Sequence, residues 1–310
     1  MTTYNQISNI DKTSTKPVLS VLIPFYNDNP AELLEALIAQ CNDSLVEILL
    51  YDDGTNDPAV LGRLETIIKS SRPDVTLIIA DQNLGRSAGR NHLQNSARAD
   101  WVLFLDADMR PEDEEFLTNY LALIQSDMGD VIFGGFTVPK KAQNPDQELH
   151  RALSEVSDCL PLSERQAAGA QHVATSNLCV KKSVMQAERF DPDFKGWGWE
   201  DSEWAARVSQ NYRLVHADIP ALHLGLEGTD TLLRRFKDSA ENYVRFTDKH
   251  PEMAKTLKLY KMSKKLKSIP GQALMRPLLR TVVKFTFGPI KLRLIALKLW
   301  RASWYAEALS

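Results

Sequence analysis

Five short apolar runs, most of them without alternating polar positions, constrain the fold of this chain of 310 residues more than any other feature. They cover residues 18–24, 46–51, 75–80, 101–105 and 131–136. Such runs are typical of strands that are buried on both faces, as in parallel sheets covered by helices.

Helical patterns lie between these runs. The clearest has Asn29 as N-cap, Pro30 at the first helical position and Glu32 two residues later. Because strand and helix alternate four times, the sequence predicts an α/β fold with a doubly wound, mostly parallel sheet. A polar, partly helical region over 140–171, a strand over 176–181 and a helix over about 199–211 are predicted further along.

Asp106 and Asp108 follow the apolar run 101–105 directly. Residues i and i+2 of an extended segment point to the same side, so the two carboxylates can converge on one divalent cation. Asp191 and Asp193 have the same spacing without a preceding strand, so the prediction depends on the strand context. The alternative interpretation is a solvated turn after a strand.

The other predicted strands also end in polar residues. In doubly wound sheets, ligands bind at the carboxyl ends of the strands. Asp53 ends the second run and can accept hydrogen bonds from a base N–H or a ribose hydroxyl, or serve only in an Asx turn. Beyond the third run, Asn83, Gly85, Arg86 and Arg90 combine small residues and guanidinium groups at a helix entry, which suits phosphate or nucleotide binding.

A glycine- and tryptophan-rich segment covers residues 196–204. The indoles of Trp197 and Trp199 can stack on the apolar face of a sugar ring, and a helix dipole keeps the following Glu200 and Asp201 ionised. The alternative is a Trp-anchored loop with helix-capping acids, and Trp204 is expected in the core. His223 is more often a core side chain than a ligand, but a two-aspartate metal site still has open coordination positions.

Taken together, these motifs resemble inverting nucleotide-sugar glycosyltransferases of family 2 with the GT-A fold. Five motifs occur in family order over about residues 18–225. The resemblance implies that Asp53 contacts the nucleobase, Asp106 the ribose and the metal, and Asp108 the metal. It also implies that Asp201 is the catalytic base and His223 a third metal ligand. The other predicted site residues are Glu200 beside the base and Pro24, Tyr26, Asn83, Arg90, Ala107 and Trp199 in the donor pocket.

The sequence departs from the family pattern at two positions. Thr55 stands where serine is usual, and Trp199 replaces a common glycine. Trp199 narrows the pocket that binds the donor and the acceptor. The resemblance therefore does not identify which donor or which acceptor the chain uses.

The implied reaction is displacement at the anomeric carbon of a nucleotide sugar, with UDP preferred, by a hydroxyl of a glycan or lipid-linked acceptor. Mn²⁺ or Mg²⁺ would neutralise the departing diphosphate, which removes the need for a general acid. Alternatives are a retaining glycosyltransferase, a sugar nucleotidyltransferase or a non-catalytic nucleotide-sugar or glycan-binding protein. Nucleic-acid binding is not expected, because the basic tail has no recognition motif.

The charge is distributed unevenly. The net charge is −3, but residues 251–310 contain 13 Lys/Arg and 2 Asp/Glu, a balance of +11. We therefore predict a GT-A catalytic domain over 1–250 and a basic amphipathic helical tail over 251–310. The catalytic domain would have a Rossmann-like nucleotide-sugar half at about 17–136 and an acceptor half at about 137–250.

Prolines 270, 277 and 289 divide the predicted tail into short helices that cannot span a bilayer but can lie on one. The tail is predicted to bind an anionic membrane surface, or alternatively to pack on the catalytic body or on another subunit. The polar residues 1–16 predict no signal peptide, and three dispersed cysteines suit a reducing compartment. The predicted location is the cytoplasm, with peripheral attachment to the inner face of the plasma membrane as the form that a membrane-binding tail would give.

Overall fold

The computed structural model describes residues 2–10, 15–41 and 45–309. The strands are β1 Tyr4–Ser8, β2 Leu19–Phe25, β3 Val46–Asp52, β4 Asp74–Ala80, β5 Trp101–Leu105, β6 Met109–Pro111, β7 Val131–Phe133, β8 Phe136–Thr137, β9 Asn177–Lys181, β10 Leu214–His216 and β11 Ala221–His223. The first helices are α1 Ala31–Gln40, α2 Pro58–Ser70, α3 Arg86–Ser96, α4 Phe116–Gln125, α5 Glu148–Ser157, α6 Leu162–Ala168, α7 Lys182–Ala187 and α8 Glu200–Val208. They are followed by α9 Thr229–Asp238, α10 Ala240–Lys249, α11 Pro251–Thr256, α12 Lys258–Lys267, α13 Arg276–Lys284 and α14 Ile290–Ala308.

Eight strands form one sheet in the order β1-β4-β3-β2-β5-β9-β7-β10. Pairing is parallel across β4-β3-β2-β5 and between β7 and β10, and only β1 and β9 run in the opposite direction. The predicted α/β fold with a mostly parallel sheet is therefore confirmed. A second sheet of three short strands, β6-β11-β8, was not predicted.

Both faces of the central strands are buried, as the unbroken apolar runs predict. In β2, Val21 and Ile23 pack in one apolar cluster with α1, α2 and α4, whereas Leu22 packs in a second cluster with α3, α7 and α8. The strand order reverses between β2 and β5, so the carboxyl ends of these two strands flank the position where doubly wound sheets bind ligands. Trp204 is fully buried in the second cluster, as predicted.

Two boundaries differ from the sequence prediction. Helix α1 begins at Ala31 with Pro30 as its N-cap, although Asn29 Oδ1 still accepts a hydrogen bond from the Ala31 N–H at 3.1 Å. The run 131–136 is two strands, β7 and β8, interrupted at Gly134 and Gly135. A Cβ at Gly134 would lie 2.2 Å from Tyr120 Oη, and Gly135 has a φ of +84°, so the chain turns where only glycine fits.

The C-terminal region is helical, as predicted, and one face of it packs on the preceding residues. Leu297 and Trp300 of α14 lie in an apolar cluster with Leu233 and Phe236 of α9. The predicted boundary at residue 250 falls between α10 and α11, and packing continues across it.

The prolines of the tail mark helix boundaries. Pro277 lies in the first turn of α13, and Pro289 immediately precedes α14. With 19 residues, α14 is longer than the short helices expected. Among the described residues, no helix combines the length and apolar character needed to cross a bilayer.

Candidate active site

The carboxyl ends of β2 and β5 carry a group of acidic side chains. Asp106 and Asp108 follow β5, as predicted. Asp28, which follows β2, was not predicted. Desolvation raises the pKa of Asp28, and the negative charges of Asp108 and Asp106 raise it further. The positive charge of Arg86 acts to lower it. The sequence carried no local signal for Asp28, because only the adjacency of β2 and β5 brings it to this edge.

His223 lies beside Asp108. Strand β11 pairs antiparallel with β6, which places His223 opposite Met109 and its Nε2 3.3 Å from Asp108 Oδ2. Burial acts to raise the pKa of Asp108, but the hydrogen bond and charge of His223 outweigh it and lower that pKa. Burial likewise acts to lower the pKa of His223, and Asp108 raises it. The two side chains therefore stabilise each other's charged forms and make an ion pair when His223 is protonated.

Two further residues fix the position of this pair. A Cβ at Gly225 would lie 1.8 Å from Asp108 Oδ2, so a larger residue there would displace the carboxylate. The His150 ring centroid is 5.9 Å from that of His223, and His150 Nδ1 accepts a hydrogen bond from the Glu227 N–H at 2.7 Å. Burial and then the charge of His223 lower the pKa of His150 to about 4, so its imidazole is neutral at pH 7.

The chemistry of these residues fits a divalent cation. Asp108 Oδ1 is buried and accepts no hydrogen bond from the residues that the structure describes. The carboxylates of Asp28, Asp106 and Asp108 and the imidazole of His223 are ligand types that Mn²⁺ and Mg²⁺ accept. Within the described ranges, however, no three His, Cys, Asp or Glu side chains converge closely enough to hold a metal ion. In this structure the Nε2 of His223 faces Asp108 instead.

Arg90 of α3 connects the acidic group to the start of α8. It is 1% exposed, and its Nη2 lies 3.4 Å from Asp106 Oδ1. Its Nη1 lies 3.3 Å from Asp201 Oδ1 and 3.5 Å from Glu200 Oε1. A buried guanidinium needs such partners, and without it the three carboxylates would repel one another. In this structure Arg90 contacts the protein's own carboxylates, and its predicted contact with the donor stays a prediction.

Asp201 combines partial burial with several hydrogen bonds. The N–H and the hydroxyl of Thr175, just before β9, each donate to its carboxylate at 3.0 Å. The pKa of Asp201 is raised to about 6, mainly by burial. The positive charge of Arg90 acts to lower this pKa, and the negative charges of Glu200 and Asp106 act to raise it. A carboxylate with this pKa is ionised at pH 7 and basic enough to take a proton in a reaction.

The segment 196–199 has an unusual backbone. Gly196, Gly198 and Trp199 all have positive φ, and the φ of Trp199 is +75°. The Trp199 indole packs against Tyr243 and Phe246, and its Nε1 donates a hydrogen bond to Tyr305 Oη of α14 at 3.1 Å. The helical layer thus holds Trp199, the N-cap of α8, in a left-handed conformation.

Both indoles expected to stack on a sugar are occupied by protein contacts. Trp197 packs against Phe236 and the guanidinium of Arg235. Together with the contacts of Trp199, this agrees with the alternative interpretation, a Trp-anchored loop with acids opening the next helix. Contact of Trp199 with the donor stays a prediction.

Comparison with known proteins identifies the family. A sequence model of glycosyl transferase family 2 matches residues 20–186, from β2 into α7. The chain belongs to glycosyl transferase family 2. It is a glycosyltransferase, as the resemblance implied.

Relatives of this family 2 enzyme include glycosyltransferase AglE of Haloferax volcanii, 26% identical over 73% of each chain. An undecaprenyl-phosphate 4-deoxy-4-formamido-L-arabinose transferase of Edwardsiella ictaluri is 37% identical over 31% of each chain. The chain therefore spans most of the first relative but only about a third of the second. Neither similarity fixes a substrate for this chain.

Solved structures share its fold. Mannosyltransferase PcManGT of Pyrobaculum calidifontis, in complex with GDP-Man and Mn²⁺, superposes with a TM-score of 0.59 at 16% identity, over 94% of this chain and 86% of that one. S. aureus TarS 1-349 in complex with UDP-GlcNAc superposes with a TM-score of 0.53 at 16% identity, over 94% of this chain and 90% of that one. The GT-A fold of this family 2 enzyme is thereby confirmed.

The residues predicted on the nucleotide side of this family 2 enzyme lie along the same sheet edge. Asp53 accepts hydrogen bonds from the N–H groups of Leu84 and Gly85 at 2.8 and 2.9 Å, so it holds the loop that enters α3. The Asx turn belongs to its neighbour Asp52, whose carboxylate accepts from the Thr55 and Asn56 N–H groups. Of the remaining predicted residues, Tyr26 and Asn83 are exposed, Pro24 is half-buried and Ala107 is buried. Their contacts with a donor stay predictions.

Proposed function

We propose that this enzyme transfers a sugar from a nucleotide-sugar donor, with UDP preferred, to a hydroxyl of a glycan or lipid-linked acceptor, with inversion of the anomeric centre. The proposal depends on one observation: Asp201, with its raised pKa, is linked through the single side chain of Arg90 to Asp106 on the donor side. A base and a diphosphate-binding edge are the two parts that a direct displacement needs.

In the proposed reaction, Asp201 takes the proton of the acceptor hydroxyl while that oxygen forms a bond to the anomeric carbon. The bond from this carbon to the diphosphate oxygen breaks, and the nucleoside diphosphate leaves with the electron pair. Arg90 orients Asp201 and Asp106 and prevents the pKa of Asp201 from rising further. When bound, a divalent cation would neutralise the departing diphosphate, and Asp106, Asp108 and His223 are the residues that would hold it.

The identities of donor and acceptor are proposed on the relatives alone. The ligands in complex with the two structural neighbours, GDP-Man and UDP-GlcNAc, are nucleotide sugars of different bases. The Edwardsiella relative is named for an undecaprenyl-phosphate substrate, which is compatible with a lipid-linked acceptor. A cytoplasmic location is proposed because Cys159 and Cys179 are both thiols, which is typical of proteins in a reducing compartment.

A donor screen tests the proposal. The purified chain would be incubated with UDP- and GDP-sugars, Mn²⁺ or Mg²⁺ and a set of glycan and lipid-linked acceptors, and release of nucleoside diphosphate measured against an Asp201→Asn control. Product stereochemistry, read from the anomeric proton in NMR, decides between inversion and retention. No release above the control with any donor would refute the proposed transfer, and a retained anomer would refute inversion.

The pKa of Asp201 predicts the pH dependence of transfer. Because a base works only when deprotonated, kcat/KM should rise with pH to a plateau, with a midpoint at about 6. Replacing Arg90 with methionine removes a positive charge that lowers this pKa, so the midpoint should move to higher pH. Arg90→Lys, which keeps the charge, is the matched control. A profile that is flat from pH 5 to 8 in the parent enzyme would contradict the assignment of Asp201 as base.

A further inference from the structure

Exposed apolar side chains concentrate at the hairpin formed by α13 and α14. Eight of the fifteen large apolar side chains that are exposed among the described residues lie between residues 269 and 295, five of them on the hairpin and three in the segment just before α13. The most exposed are Phe287 at 93% and Leu274 at 83%. The other seven come from separate parts of the sequence, so the hairpin and the segment before it carry the main apolar surface of the described chain.

The two helices of the hairpin each have a buried and an exposed face. Val283, Leu297 and Trp300 pack into the apolar cluster beneath and anchor the hairpin to the protein. Leu274, Leu278 and Phe285 recur at helical spacing along the other side of the segment 272–285. The exposed residues are therefore not needed for the packing of the hairpin, and burial in the fold does not account for them.

The tip of the hairpin is aromatic and apolar. Phe285 and Phe287, in the turn between the helices, have ring centroids 6.3 Å apart. Leu292 and Ile295 are exposed in the first two turns of α14, three residues apart and hence on one face. The exposed apolar surface therefore continues from the turn onto the adjoining helix.

Positive charge surrounds this apolar surface. Lys291 and Lys298 are exposed on α14 and make no ion pair with any residue that the structure describes. On α13, Arg280 and Lys284 share the single acidic partner Asp230. Apolar side chains interleaved with basic ones match the interface of an anionic membrane, where lipid headgroups attract the lysines and acyl chains accept the apolar groups.

A second copy of the chain fits this apolar surface less well than an anionic membrane does. Pairing through the same face would bring two basic surfaces together, and the described surface elsewhere offers only scattered apolar side chains. We propose that the hairpin tip, with Leu278, Phe285, Phe287, Leu292 and Ile295, inserts into the interfacial layer of an anionic membrane. The inference goes beyond the proposed function, since it requires no particular donor.

Membrane binding would also hold the active site at a defined distance from the membrane surface. Ile295 and Tyr305 lie on the same helix, about 15 Å apart along its axis at 1.5 Å per residue. Tyr305 accepts the hydrogen bond of Trp199, which caps the helix that carries Asp201. A hairpin held at the interface would keep the base within reach of an acceptor whose lipid part lies in the same membrane.

Vesicle flotation tests the proposal on the full chain, without donor. The parent should float with phosphatidylcholine vesicles that contain phosphatidylglycerol, and much less with pure phosphatidylcholine. The double variant Phe285→Ser/Phe287→Ser should bind the anionic vesicles at least about tenfold more weakly. Lys291→Glu/Lys298→Glu should lose the preference for anionic lipid.

The matched control is Met128→Ser/Val156→Ser, which replaces two exposed apolar side chains elsewhere on the chain and should float like the parent. Thermal melting of each variant checks that the fold is intact. If the parent stays in the soluble fraction with anionic vesicles at low salt, or if Phe285→Ser/Phe287→Ser binds like the parent, the proposal is wrong. A concentration-dependent dimer that this variant abolishes, without vesicle binding, would assign the surface to self-association instead.

Discussion

Replacement of Asp201 with asparagine is expected to reduce sugar transfer by about 10²-fold or more while donor binding is retained, because the amide cannot take the acceptor proton. Asparagine keeps the shape of the side chain, so Thr175 and Arg90 can still contact it. Transfer rates at saturating donor, together with a donor Kd from calorimetry, separate loss of the base from loss of the binding site.

Glu200 is the competing candidate for the base, and Glu200→Gln is the matched control. Its carboxylate is 6% exposed and lies 3.5 Å from Arg90 and 3.8 Å from Arg86, so a structural role accounts for it. We expect Glu200→Gln to retain more activity than Asp201→Asn. If instead Glu200→Gln is inactive and Asp201→Asn transfers normally, the two roles must be exchanged.

Asp106→Ala and Asp108→Ala are each expected to abolish metal-dependent turnover. Each removes a charged oxygen from the edge that is proposed to hold the cation and the diphosphate. Binding of Mn²⁺ in the absence of donor, followed by electron paramagnetic resonance, gives a readout that does not require activity. Turnover and Mn²⁺ binding equal to the parent in both variants would show that the cation site lies elsewhere.

His223→Ala should weaken the apparent affinity for Mn²⁺ without abolishing turnover, because two carboxylate ligands remain. Asp191→Ala is the control for this series, because Asp191 belongs to a similarly spaced aspartate pair outside the site and forms an ion pair with Lys249. If the apparent affinity for Mn²⁺ in His223→Ala matches that of the parent, His223 serves only to pair with Asp108.

The parts of the fold that the sequence predicts are those in which side chains decide the structure. Strands β2 to β5 are apolar at nearly every position, because both faces of the sheet are covered. Strand β1 was missed because most of its residues are polar or exposed, and it is held by backbone pairing with β4 at the edge of the sheet. The three short strands of the second sheet are likewise too brief to leave a periodic pattern.

The site is predictable to a similar degree. Local sequence places Asp106, Asp108 and Asp201 at a strand end and a helix start, where the structure also has them. It cannot show that Arg90 is buried, since this depends on the approach of α8, whose acids lie more than a hundred residues later in the chain. Asp28 escaped prediction for the same reason, because the reversal of strand order beside it is a property of the whole sheet.

The hydrogen bond from Trp199 to Tyr305 has a consequence for the synthesis of the protein. A left-handed conformation costs a non-glycine residue about 1–2 kcal/mol, and most of the contacts that hold Trp199 there come from residues translated later. The sheet can therefore assemble while the ribosome is still extending the chain, but the segment that carries Asp201, the proposed base, lacks its support until residue 305 has emerged. With a C-terminal linker and a stalling sequence added, chains whose linker leaves residue 305 inside the exit tunnel are expected to be inactive, and those whose linker is long enough to expose it are expected to gain turnover. Such a delay would keep the enzyme from acting on its donor before the hairpin of α13 and α14 has also been made.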